Sequence, residues 1–152
     1  MAQSKNQAIK SQSLRDTLVL AAGDLLALLL FVLIGRGSHS LAVTDIRADL
    51  AAAAPFILSW FLISPWFGLF RAGVSRNWRQ WVPRLLLAWA VMGCPAALIG
   101  RALWLGRPIP GGIPLSFAAV TLTVTSLLLL LWRLGYLWWV SRRSTGQDSQ
   151  VV

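Results

Sequence analysis

The amino-acid sequence predicts an all-α membrane protein, with four transmembrane helices in a bundle and both termini in the cytoplasm. Hydrophobic residues make up 57% of the 152 positions and charged residues only 12%, whereas a soluble domain usually has about 25% charged residues. The hydrophobic residues fall into four blocks, each close to the ~20 residues that a helix needs to cross a bilayer. Most lysines and arginines lie between these blocks, as is typical of membrane proteins.

The predicted domain organisation is one transmembrane domain between two disordered cytoplasmic tails. The tails are residues 1–14 and 144–152, the transmembrane domain is residues 15–143, and the four helices are at about 16–35, 50–70, 81–104 and 114–140.

The first apolar block follows a basic start, which is also the pattern of a signal peptide. However, the run from Thr17 to Gly35 is about 19 residues, long enough to span a bilayer. It contains Asp24 and is not followed by a clear small-residue cleavage site. We therefore expect an uncleaved helix. In the second block we place Pro55 in the first two turns, where proline costs least, and expect Pro65 to kink or end the helix.

The third block is the least regular of the four. Pro95 lies in its middle and should kink the helix, because proline cannot donate the backbone hydrogen bond to the preceding turn. The freed carbonyl then needs a partner from a neighbouring helix or from water. Gly93 and Gly100 place small residues near one face, a pattern that permits close helix packing. We predict a kinked, closely packed third helix.

The orientation follows from the count of basic residues on each side. If the N-terminus is inside, ten lysines and arginines lie on the cytoplasmic side, and four lie on the other side: Arg36, Arg47, Arg101 and Arg107. Basic residues favour cytoplasmic loops, and an even number of spans returns the C-terminus to the same side. We expect a multi-pass protein of the cell inner membrane, or of another internal membrane if the organism has one.

The formal net charge of +9 does not predict a nucleic-acid partner, because the basic residues are not gathered into a patch with stacking aromatics. The chain has one cysteine, Cys94, and one histidine, which are too few for a zinc site. Cys94 lies in an apolar block and is expected to be a small buried residue. We predict no metal, no cofactor and no nucleic acid.

Asp24 is the clearest anomaly in the apolar blocks. It lies about 13 Å beyond Arg15 along a helix, at 1.5 Å per residue. Arg133 has a similar depth on the fourth helix, which runs the opposite way. An ionisable group inside a membrane usually faces a partner, so we predict an Asp24–Arg133 ion pair between the first and fourth helices. We favour a role in helix packing over an ion relay or a substrate counter-ion, because a fully paired charge has no free valence.

A second predicted cluster lies at the outer end of the first helix and contains Arg36, Ser38, His39 and Arg101. Together these residues would hold an anionic group, such as a lipid phosphate or a small carboxylate. The interpretation that we favour is an ordinary helix end, where the helix dipole favours cations and glycines stop the helix. Adjacent Ser38 and His39 do not by themselves form a nucleophile–base pair, and no nucleotide-binding motif is present. We therefore predict no catalytic residues, and an enzyme is the less expected class.

These positions resemble a bacterial family of small four-span membrane proteins of unknown function. The resemblance covers roughly residues 15–140 and runs through Asp24, Gly35-Arg36-Gly37-Ser38-His39, Ala54-Pro55-Phe56, Gly93, Gly100-Arg101, Ser116-Phe117 and Trp132-Arg133. The nine tryptophans and the basic 71–80 loop depart from the family pattern. The resemblance implies a four-helix inner-membrane protein and brings no activity, substrate or catalytic residue.

Three functions are compatible with the sequence. The first is a small oligomeric transporter or channel-like protein for an ion or small anion, which the intramembrane charges and the kinked helix favour. The second is an accessory subunit or assembly factor of a larger membrane complex, which the tryptophans and short loops suit. The third is a lipid-handling enzyme. The expected partners are the lipid bilayer and either further copies of the chain or a larger membrane complex.

Overall fold

A computed structural model of the protein describes residues 2–38, 45–71, 77–109 and 111–148. Within these ranges the chain forms helices and no strands. The helices are α1 (Ala2–Ser38), α2 (Ile46–Ile63), α3 (Trp78–Leu87), a π-helical segment (Ala88–Gly93), α4 (Cys94–Trp104) and α5 (Leu115–Asp148).

Four helical stretches of the described chain are long and apolar enough to cross a membrane. We call them the first to fourth spans; they are Leu14–Ser38, Ile46–Ile63, Trp78–Trp104 and Leu115–Arg142. The third span joins α3, the π-helical segment and α4 into one continuous stretch. The prediction of an all-α polytopic membrane protein with four spans is confirmed.

Successive spans run in opposite directions and define two ends of the bundle. The terminal end is where α1 begins and α5 ends; the distal end is where the first span ends and the fourth begins. The first span packs against the second and the fourth, and the third span also packs against the second and the fourth. Each span therefore packs against two neighbours.

The helix bounds differ from those predicted at both termini. α1 begins at Ala2, inside the segment 1–14 that the sequence predicts to be a tail, and α5 continues to Asp148. No proline interrupts either segment, so nothing stops the backbone hydrogen bonds of the adjoining span from continuing.

The second span begins earlier and ends earlier than the predicted 50–70. Asp45 caps α2 by accepting hydrogen bonds from the backbone N–H groups of Arg47 at 3.1 Å and Ala48 at 3.2 Å. Pro55 consequently lies in the interior of α2 and not in its first turns. The helix ends at Ile63, just before Pro65, and residues 64–70 form a series of turns in which Gly68 has a φ of 66°.

The third span accommodates Pro95 with a π-helical segment. The backbone N–H of Cys94 donates to the carbonyl of Trp89, five residues earlier, and this wider turn directly precedes the proline that would otherwise disturb the ladder. Gly93 is required by its own segment, because an added Cβ would lie 2.7 Å from Cε3 of Trp89. Gly100 faces the second span, where an added Cβ would lie 3.6 Å from Cβ of Pro55.

Candidate functional site

A buried ion pair joins the first and fourth spans. Asp24 is 0% exposed and Arg133 is 2% exposed. The Nη2 group of Arg133 donates to Oδ2 of Asp24 at 2.6 Å, and its Nε donates to Oδ1 at 3.1 Å. This is a bidentate guanidinium–carboxylate pair, the geometry that gives the strongest charge-assisted hydrogen bonds.

Two further hydrogen bonds give Asp24 and Arg133 one additional partner each. Trp60, from the second span, donates its indole N–H to Oδ2 of Asp24 at 3.0 Å. The Nη1 group of Arg133 donates to the carbonyl of Leu69 at 3.0 Å, and the guanidinium lies 5.3 Å from the ring centroid of Phe70. We call Asp24, Arg133, Trp60 and Leu69 the hub. The hub connects the first, second and fourth spans with the 64–70 turns.

The local sequence around Asp24 allows this close approach. Gly23 is buried, and a Cβ added there would overlap the indole ring of Trp132. Trp132 is the residue before Arg133, so the absent side chain at Gly23 lets the fourth span come close enough for the pair to form. Sequence reasoning identified Asp24 and Arg133 but missed Gly23 and Trp60. A glycine directly before an intramembrane acid was the available signal for the first; nothing in the sequence pointed to the second.

A half-open cavity of about 600 Å³ lies at the distal end, lined by all four spans and by the connection between the last two. Its cations come from three parts of the chain: Arg36 lies in the last turn of the first span, Arg101 lies in the last turn of the third, and Arg107 follows the third span. Arg101 lies close enough to both Arg36 and Arg107 for their positive charges to interact with its own. The hydroxyl-bearing lining residues are Ser38 and Ser116.

The three cations of the cavity are not equally neutralised. Arg36 forms a salt bridge with Asp49 of the second span. The guanidinium of Arg101 lies over the ring of Phe117, 5.3 Å from its centroid. Among the described residues no carboxylate pairs with Arg101 or with Arg107. The cavity thus has an uncompensated positive charge.

The structure brings three of the four residues of the predicted outer cluster to this cavity. Arg36, Ser38 and Arg101 all line it, whereas His39 lies outside the described residues. The Ser38 hydroxyl donates to the carbonyl of Gly35 at 2.8 Å, so it satisfies the end of the helix. Arg107 was not included in the predicted cluster, although it is one of only four basic residues predicted for that side.

The deeper lining of the cavity is apolar and aromatic. It includes Phe31, Phe56, Leu98 and Phe117, and the rings of Phe31 and Phe56 meet edge to face with centroids 5.4 Å apart. The fourth span continues inward from the cavity with Thr121 and Thr125. Both are fully buried, and their hydroxyls have no hydrogen-bond partner among the described residues.

No group of three metal-ligating side chains comes together within the described ranges. Cys94 is buried and carries a free thiol. Cys94 belongs neither to the hub nor to the lining of the cavity.

The fold and these two features define a class, a polytopic all-α membrane protein with a buried ion pair and a cationic cavity at one end. The chain belongs to the family described as "Protein of unknown function (DUF3054)", whose model matches residues 21–136. Family membership as predicted from the sequence is thereby confirmed, and both the hub and the cavity lie within the matched residues. No curated protein and no solved structure matches the chain.

Proposed function

We propose that this membrane protein is transporter-like and binds an anion in the distal cavity. The observation that carries the proposal is the uncompensated charge of Arg101 and Arg107 within a half-open cavity among the four spans. Arginine donates paired N–H groups in the plane that oxyanions accept. A cavity with such donors and a mostly apolar lining is the usual form of a small-ligand site.

The hub supports the cavity and does not itself bind the anion. Both carboxylate oxygens of Asp24 and all three nitrogens of the Arg133 guanidinium have partners. Breaking such a buried pair is costly, which suits a fixed structural element better than a carrier of mobile charge. The hub therefore holds the first, second and fourth spans together on the terminal side of the cavity.

The buried hydroxyls of Thr121 and Thr125 support a route inward from the cavity. They lie one and two turns beyond Phe117 on the fourth span, and unpartnered hydroxyls are available to a passing polar group. Beyond them the interior of one copy is filled by buried side chains, among them Leu129 and Trp60. We therefore propose that transport uses an assembly of two or more copies, with the route beside the fourth span.

The direct test is an anion flux assay with purified protein in proteoliposomes, using chloride, phosphate and acetate. Arg101→Gln should lower the flux about 10- to 100-fold, the effect of losing one charge-assisted hydrogen bond. The matched control is Arg47→Gln, which removes the same charge at the same end from a residue that does not line the cavity. Absence of flux with every anion, or equal flux in both variants, would contradict the proposal.

A second candidate function is an accessory subunit of a larger membrane complex. It is favoured by the fourth span, because only 17% of its apolar window is buried, against 33–39% in the other spans. Exposed Leu131, Trp138 and Trp139 lie along it. Purification in mild detergent discriminates the two functions: a subunit copurifies with a stoichiometric partner chain, whereas a transporter of this design purifies as copies of itself.

A further inference from the structure

We infer that the anion bound in the distal cavity is the head group of an amphiphile, in which a phosphate or carboxylate is joined to an alkyl chain. The inference rests on the proposed anion binding and goes further, because it specifies what kind of anion is bound. It is carried by one juxtaposition: the cations Arg101 and Arg107 and a deep apolar lining belong to the same cavity.

The deep part of the cavity suits an alkyl chain better than a free anion. Phe31, Phe56 and Leu98 are buried there, and the face of an aromatic ring has a negative partial charge that disfavours anions. An alkyl chain in the same place gains about fourfold in affinity for each buried CH₂ group. The lining therefore discriminates between the two ligands.

The size of the cavity points the same way. At about 600 Å³ it lies within the range of roughly 300–1,000 Å³ that holds drug-sized organic ligands. A phosphate or acetate ion would occupy only a small part of this volume, and the rest would remain as water against apolar walls. A chain attached to the ion removes that water.

The cations are arranged for the head group. The Arg101 guanidinium lies over the ring of Phe117, and a cation–π contact of this kind uses none of the N–H groups that make paired hydrogen bonds to an oxyanion. Arg107 is exposed at the rim of the cavity. Phosphate-bearing lipid head groups lie at the same membrane level as the ends of transmembrane helices, where basic residues bind them.

The cavity also opens sideways. Val120 of the fourth span lines the cavity and is nevertheless 54% exposed. Leu105, directly after the third span, also lines the cavity and is 49% exposed. An amphiphile in the surrounding leaflet therefore reaches the cavity between the third and fourth spans without leaving the membrane.

The test compares two ligands that share a head group, inorganic phosphate and hexadecyl phosphate, on the full chain in nanodiscs of uncharged phosphatidylcholine. Binding is measured for the unmodified protein, Arg101→Gln, Gly35→Leu and Gly37→Leu. Gly35 lines the cavity, and neither an added Cβ at Gly35 nor one at Gly37 meets an atom within 4 Å. The leucine of Gly35→Leu therefore occupies the cavity, and Gly37→Leu, which lies outside the lining, is its matched control.

We expect hexadecyl phosphate to bind at least tenfold more tightly than inorganic phosphate, since even a few buried CH₂ groups suffice. Gly35→Leu should weaken hexadecyl phosphate about tenfold and leave phosphate almost unchanged, Arg101→Gln should weaken both, and Gly37→Leu should weaken neither. If the two ligands bind equally and Arg101→Gln weakens both, the inference that the ligand is an amphiphile is wrong, whereas the proposed anion binding stands. If neither Gly35→Leu nor Arg101→Gln changes the affinity for hexadecyl phosphate, the ligand binds at the lipid-facing surface and the inference is overturned. Binding of neither ligand would overturn both proposals.

Discussion

At the scale of single residues, Asp24 is a carboxylate that is costly to bury and that nevertheless connects three spans through its hydrogen bonds. Sequence reasoning could place Asp24 and Arg133 at similar depths, because helix rise converts residue number into distance. It could not find Trp60 or the Leu69 carbonyl, because a tryptophan in an apolar block and a backbone carbonyl in a loop have no distinctive pattern. The same limit applies to the cavity, where Arg107 completes a cluster only because the chain folds back after the third span.

Asp24→Asn is expected to destabilise the protein by about 3–5 kcal/mol, because it leaves the buried Arg133 guanidinium without a counter-charge. The measurement is thermal unfolding in detergent at neutral pH. Asp49→Asn is the matched control: it removes the carboxylate from the pair with Arg36, where a smaller loss is expected, because both side chains are more exposed than those of the hub pair. The double variant Asp24→Leu/Arg133→Met should be more stable than Asp24→Asn alone, since it leaves no unpaired charge. A double variant as unstable as the single one would show that the hub does not act as an ion pair.

At the scale of helices, the third span shows which irregularities a sequence reveals. Pro95 predicts a disturbance, because its ring and missing N–H do not fit the helical ladder. The form of that disturbance is a π-helical segment over Ala88–Gly93, in which Trp89 packs edge to face on Trp60 of the second span with centroids 5.8 Å apart. Gly93 and Gly100 look alike in the sequence but have different surroundings, and this difference can be tested.

Gly93→Ala should destabilise the protein by about 1–3 kcal/mol, the usual cost of overpacking, because the new Cβ meets the ring of Trp89 and lies 3.2 Å from the carbonyl oxygen of Ala88. Gly100→Ala should instead be neutral or stabilising by up to about 1 kcal/mol, since alanine favours the helix and the contact with Pro55 is ordinary. Chemical unfolding of the two variants in one detergent measures the difference. Equal effects of the two substitutions would contradict the packing of the third span described above.

At the scale of the whole molecule, the number and approximate place of the spans were predictable, since only closed backbone hydrogen bonding is tolerated in hydrocarbon. The arrangement of the spans was not, because hydropathy does not say which apolar faces meet. The sideways opening of the cavity between the third and fourth spans depends on that arrangement. The distal end lies on one side of the membrane, and a ligand of the cavity must come from that side.

Reporter fusions test this orientation. Because ten of the fourteen basic residues are predicted on the side of the termini, both termini should lie in the cytoplasm and the cavity should face the opposite side. A fluorescent protein fused after Arg143 should therefore fluoresce, and an alkaline phosphatase fused after Arg107 should be active, because the first requires a cytoplasmic and the second an extracytoplasmic position. Phosphatase fused after Arg143 is the control and should be inactive. The reverse pattern would turn the cavity to the cytoplasm, so that the amphiphile would come from the inner leaflet.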